Sequence, residues 1–226
     1  MSDAKRAPLD WMSSLPYLAP FVLFMIFTAG IEPRVGAWYP AVYAAKLVLV
    51  ALALVSFGLN FSELRARATF STVAWGVLVG AIVGVGWVWV ESRGLYPIIG
   101  ARKGYDPLEI YSDAARFAFI GVRMIGLVMI VPVMEELLWR SWLIRVIVRE
   151  DFKKVPMGTF TILSCVVSAG MFALVHPEWL SAFVCGLAYN LVLYRTKNLW
   201  ACIIAHATTN FVLGIYVLTT QTWKLW

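Results

Sequence analysis

Long apolar runs separated by short polar breaks dominate the chain. A helix must present about 20 mostly apolar residues to cross a hydrocarbon core of roughly 30 Å. Runs of that kind lie at residues 15–31, 37–59, 71–90, 117 onward past Glu135, 157–175, 179–194 and 199–218. They predict an all-α fold, a polytopic transmembrane helix bundle with about seven or eight spanning helices, the eighth arising if the long fourth run is two pieces. The first run follows Lys5 and Arg6 as a signal peptide would, but it is long enough to span and no small-residue cleavage site follows it, so it reads as a retained anchor.

Two polar interruptions punctuate this pattern. Residues 91–116 contain the breakers Gly94, Pro97, Gly100, Gly104 and Pro107 with the acids Asp106, Glu109 and Asp113, and predict an external loop with a short interfacial helix. Residues 149–154 (REDFKK) form the second. No repeat, low-complexity tract or domain boundary is visible, so one membrane domain, residues 1–226, is expected. Gly76, Gly80 and Gly84 form overlapping small-xxx-small patterns, which let helix backbones approach closely. Tryptophans such as Trp87, Trp139 and Trp179 fall near the ends of runs, as interfacial belts do.

Composition removes the soluble alternatives. Of the 226 residues 61% are hydrophobic and 14% charged, against about half and about a quarter in soluble domains. The chain is therefore expected to be an integral, multi-pass membrane protein whose constant partner is the lipid bilayer. A net charge of +6 could suggest nucleic acid, but the basic residues are scattered among short loops, so no nucleic acid partner is expected. With the amino terminus inside, ten Lys and Arg residues, Lys5 and Arg6 among them, fall on the cytoplasmic side and six, Arg102 and Lys103 among them, fall opposite. Cys165, Cys185 and Cys202 lie in apolar runs with no CxxC or Cys/His pattern, so buried thiols are expected.

Ionisable groups inside apolar runs are the place to look for chemistry, because each costs roughly 2.5 to 3.5 kcal/mol at mid-bilayer on insertion scales. Both histidines, His176 and His206, sit there, as do the adjacent acids Glu135 and Glu136. On a helix neighbouring residues point about 100° apart, so the two glutamates cannot share a task. Glu136 and Arg140 are four apart with the acid first, the favourable order for an ion pair. Glu135 is then left for a cavity as a general base. His206 and Asn210 present an imidazole and a carboxamide on one helix face, and His176 precedes the helix-breaking Pro177. Irregular backbone at membrane depth is tolerated only against protein or water, which places water near His176. A carboxylate, a helping imidazole and an imidazole–amide pair of donors suit a water-activating hydrolase. Lys46 and Arg123 are further charges in the runs that no motif absorbs.

Glu135, Glu136 and Arg140 spell EExxxR, Phe172 and His176 spell FxxxH, and His206 and Asn210 spell HxxxN, on successive apolar runs. In this the chain resembles the type II CAAX prenyl endopeptidase and bacteriocin-processing (CPBP, abortive-infectivity) family of intramembrane glutamic proteases, over a motif-bearing core of about 117–218. The resemblance implies an endopeptidase of a bacterial cytoplasmic membrane. It would hydrolyse a membrane-associated, possibly lipidated, peptide or protein with neither cofactor nor metal. Glu135 would activate water, His176 would assist, His206 and Asn210 would hold the oxyanion, and Glu136 and Arg140 would support them. Where family members often carry a second glycine four residues after Gly186, this chain has Asn190, which is expected to pack between helices. An ideal count leaves Glu135 and His176 at different depths, so some helix is expected to be tilted, displaced or broken. The alternatives are a non-catalytic membrane binding or immunity protein of the same family, a proton-coupled transporter, and a zinc-dependent membrane protease. The last is disfavoured by the lack of HExxH and by only two histidines.

Overall fold

The computed structural model describes residues 11–100 and 104–225. Every regular element among them is helical: α1 (Trp11–Arg34), α2 (Gly36–Ser56), α3 (Phe70–Arg93), α4 (Asp113–Val148), α5 (Ile162–Leu174), α6 (Trp179–Thr196) and α7 (Leu199–Thr220). Five of these, α1 to α4 and α7, are long and apolar enough to cross a membrane. Large side chains such as Ile82, Val85 and Leu191 point outward, the arrangement of a bundle bathed in lipid. The chain is an integral membrane protein, and each predicted apolar run is a helix.

Two runs differ in length from expectation. The fourth is not two pieces: α4 continues for 36 residues, absorbing its irregularities as π-helical turns at Gly126–Ile130 and Leu137–Leu143. The fifth is shorter than the run at 157–175. Gly158 turns the chain at φ +76°, and the Thr161 hydroxyl caps the helix by accepting from the Ser164 amide at 3.0 Å. The 13 residues of α5 rise about 20 Å, short of the roughly 30 Å of a hydrocarbon core. His176 lies just beyond the end of this short helix. Despite the expected mismatch in depth, His176 and Glu135 line one cavity.

Among its described residues the polar loop after α3 contains one 3-10 turn, Pro107–Glu109, in place of an interfacial helix, and α4 starts at Asp113 behind a Ser112 cap. Trp87 and Trp139 are buried in the core, not set in an interfacial belt. Lys5, Arg6, Arg102 and Lys103, part of the charge bias, lie outside the described residues. Arg145, another of the charges counted as cytoplasmic, is buried and paired with Glu63 at 3.1 Å. Glu63 also accepts from Tyr17 at 3.3 Å and from Ser141, so the α2–α3 connection and α1 are pinned to α4.

Helix α3 has its most extensive contact with α7. The glycine stripe allows it: a Cβ on Gly76 would meet Ile204 Cβ at 2.8 Å, one on Gly80 would meet Thr208 Cβ at 2.7 Å, and one on Gly84 would meet Val212 Cβ at 2.9 Å. Across this seam the Thr209 hydroxyl donates to the Gly80 carbonyl at 2.9 Å. Because α7 carries His206 and Asn210, the stripe sets their position. Gly80→Val should therefore destabilise the protein by about 1–3 kcal/mol through overpacking, read as a lowered Tm in detergent. Gly86→Ala, with nothing within 4 Å of its Cβ, should leave the Tm unchanged.

Candidate active site

Helix α4 brings its two glutamates to opposite duties. Glu136 is fully buried, and one of its oxygens, Oε1, accepts from Arg140 Nη1 at 3.1 Å and from His206 Nδ1 at 2.8 Å. The Arg140 guanidinium lies between the rings of Phe172 (4.6 Å) and Tyr189 (5.1 Å) and donates to the Gly186 carbonyl at 3.4 Å. One ionic cluster thus joins α4, α5, α6 and α7. Glu135, a helix step away, faces a cavity of about 670 Å³. It is 5% exposed, and its Oε2 has no hydrogen-bond partner.

The same cavity is lined by His176, His206 and Asn210. His176 lies in the turn after α5, where its Nδ1 is 2.8 Å from the Phe172 carbonyl oxygen. A carbonyl only accepts, so Nδ1 carries the proton and Nε2 is the acceptor nitrogen of the neutral ring. The Phe172 ring packs between the two imidazoles, 4.5 Å from His176 and 6.0 Å from His206. His206 spends its Nδ1–H on Glu136, so its Nε2 donates only when the ring is doubly protonated.

Asn210 has a structural duty as well. In the π turn at Gly126–Ile130, the amide of residue 132 would serve the Leu127 carbonyl, five residues back. Pro132 has no amide hydrogen. Asn210 Nδ2 donates to that carbonyl at 2.8 Å instead, leaving the second N–H of the carboxamide for the cavity.

A model of the family described as "Type II CAAX prenyl endopeptidase Rce1-like" matches residues 117–212. Over this stretch the chain is similar to the Rce1-like family. That family is one of membrane proteases. No curated protein and no solved structure matches the chain.

The Rce1-like stretch does not build the cavity alone. Phe21, Phe24 and Thr28 of α1, Tyr43 and Lys46 of α2 and Trp87 of α3 line it too. Trp87 meets His176 edge-on at 6.2 Å. Lys46 is paired with Glu32 at 2.6 Å, and Arg123 donates to Tyr39 Oη at 2.5 Å. Asn190 packs between helices as expected, its amide donating to the Cys165 carbonyl and the Ser168 hydroxyl, each at 2.9 Å. Sequence reasoning missed Tyr189, Thr209 and Glu178, which also line the cavity. Tyr189 Oη donates to Thr209 Oγ1 at 2.7 Å, with its ring 5.5 Å from His206. The only sequence signal was Thr209's place one residue before Asn210 and three after His206.

The turn that carries His176 is clamped from outside. Ile99 N–H donates to the Pro177 carbonyl at 3.0 Å, Trp179 Nε1 to the Pro97 carbonyl at 3.0 Å, and the Ser181 hydroxyl to Glu91 at 2.7 Å. Tyr96 Oη donates to Glu91 at 2.5 Å; burial, and then this hydrogen bond, push its phenol up to about 12, so it remains a donor at working pH.

Removing Glu136 alone would strand Arg140 in the core. Glu136→Ala should cost about 3–5 kcal/mol, read as a drop in detergent Tm. The double variant Glu136→Leu/Arg140→Met should recover most of that loss, since it removes both buried charges.

Proposed function

We propose that the protein is an endopeptidase that hydrolyses a peptide bond of a membrane-associated protein or peptide with water activated by Glu135. The observation that carries this reading is the convergence of Glu135, His176, His206 and Asn210 on one buried cavity, where Glu135 Oε2 lacks a partner. A buried carboxylate oxygen left bare is costly, and a water between it and the substrate carbonyl relieves that cost. Glu135 accepts a proton from this water while His176 Nε2 accepts the water's other hydrogen bond. The hydroxide adds to the carbonyl carbon, and the charge moves to the carbonyl oxygen.

Two donors face that oxygen: the second N–H of Asn210, and Nε2–H of His206 in its imidazolium form, for which Glu136 is the counter-ion. Glu135 then passes its proton to the departing amine as the C–N bond breaks. Zinc is the competing chemistry; Glu135, His176 and His206 line one cavity, but among the described residues no three His, Cys, Asp or Glu side chains are placed to share one ion. The substrate, lipidated or not, enters a cavity walled by the aromatic side chains of α1 and α2.

The test is mass spectrometry of membrane peptides incubated with the purified protein. Cleavage should fall by at least about 10²-fold in Glu135→Gln and in His176→Ala, with the detergent Tm of each within a few degrees of the parent. Turnover retained in Glu135→Gln would refute the assigned base. Activity lost to a chelator and restored by zinc would overturn the metal-free route.

A further inference from the structure

The segment after α7 does not leave the bundle. We propose that the mouth of the catalytic cavity is a peptide-binding subsite, filled in the resting protein by the chain's own residues 221–225, which an incoming substrate must displace. The proposal deepens the proteolytic reading and rests on it for its activity measurement.

Four observations carry it. Gln221 ends α7 in the left-handed region at φ +55°, one of two non-glycine residues there among the described ones. That conformation is unfavourable for a residue with a Cβ, yet here it reverses the chain. The following residues fold into a 3-10 turn, Trp223–Leu225, in which the Leu225 amide donates to the Thr222 carbonyl at 3.1 Å. The turn lies on the polar loop: a Cβ on Gly104 would run into the Trp223 carbonyl and come within 2.9 Å of the Lys224 amide. Finally, Leu225 lines the cavity that also holds Glu135, His176, His206 and Asn210.

The occupant defines the ligand class. Its Leu225 lines the cavity beside Asp106 and Glu109 of the loop, and Lys224, next to it in the chain, is exposed. A peptide that presents an apolar side chain where Leu225 sits fits that wall, and the carboxylates of Asp106 and Glu109 favour a basic residue beside it. The segment continues directly from the helix that bears His206 and Asn210, so its place at the mouth is fixed by the same seam that fixes those donors.

When a site is open for only a fraction of the time, apparent affinity falls by that fraction. Deleting the residues after Gln221 should raise kcat/KM by at least about threefold in detergent or vesicles. Gly104→Val, which pushes the turn away without shortening the chain, should do the same and decides the matter if the deletion does not fold. A second readout needs no turnover. Cys185 lines the cavity, and its alkylation by N-ethylmaleimide, located by peptide mass, should quicken at least about threefold in both variants. The peptide Gln-Thr-Trp-Lys-Leu at about 10 mM, above the millimolar effective concentration of a short tethered segment, should slow it again. Folded variants in which Cys185 alkylation is unchanged, or is not slowed by the peptide, overturn the proposal. So does a parent that cleaves peptide while its variants gain nothing in kcat/KM. Faster, peptide-sensitive alkylation with no cleavage by any form would sink the proteolytic reading and uphold the subsite.

Discussion

The buried cluster of Glu136, Arg140 and His206 is the constraint from which the carboxyl-terminal half follows. Each charge left alone in hydrocarbon would cost roughly 2.5 to 3.5 kcal/mol on insertion scales, and no solvent is at hand to soften that cost. Glu136 Oε1 answers the Arg140 guanidinium and the His206 imidazole at once, at 3.1 Å and 2.8 Å, while the guanidinium is faced by Phe172 of α5 and Tyr189 of α6. The contacts of this one ionic cluster therefore bring four helices together. Once Glu136 points into that cluster, helical geometry turns Glu135 about 100° away, into the cavity. The adjacency of the two acids is thus a division of labour: Glu136 holds Arg140 and His206 through Oε1, and Glu135 faces the cavity.

The helices and the chemical groups were legible in the sequence for different reasons. Apolar runs near 20 residues have few alternatives to a spanning helix, and charged or imidazole groups inside them stand out because they are costly there. The ion pair of Glu136 with Arg140 and the close seam along Gly76, Gly80 and Gly84 follow from helical spacing alone, and both are present. The true length of α5 was also written in the chain, in the Pro156–Met157–Gly158 turn and the Thr161 cap. Hydropathy hid it, because residues 157–161 include apolar side chains that continue the run without a gap.

What the sequence could not reveal is which ordinary residues surround the site. Trp87 falls near the end of an apolar run, where a belt residue and a core residue look alike; only the packing of α3 on α7 turns it toward His176. Tyr189 and Thr209 have no signature, since a threonine hydroxyl in an apolar helix commonly bonds back to its own turn and a tyrosine there reads as an aromatic core residue, and here they bond to each other across two helices. The contributions of α1 and α2 were invisible for a further reason: the family match begins at residue 117, while Phe21, Phe24, Tyr43 and Lys46 reach the cavity from well before it.

The unbroken course of α4 depends on Asn210 as well as on α4 itself. A proline within a helix removes a donor and obstructs the carbonyl of the preceding turn, and in lipid the orphaned carbonyl has no water to turn to. At Pro132 the helix widens into a π turn, and the carbonyl left over belongs to Leu127, which Asn210 reaches at 2.8 Å. The spacing of His206 and Asn210 then does two things through one helix face: it ties the imidazole to Glu136 at one level of α4 and the amide to Leu127 two turns earlier. A carboxamide held by a backbone carbonyl needs no rearrangement when charge develops beside it, which is the condition the proposed oxyanion role requires of a hydrogen-bond donor. The irregularity in α4 is therefore part of the site, because it supplies the fixed acceptor that aims Asn210.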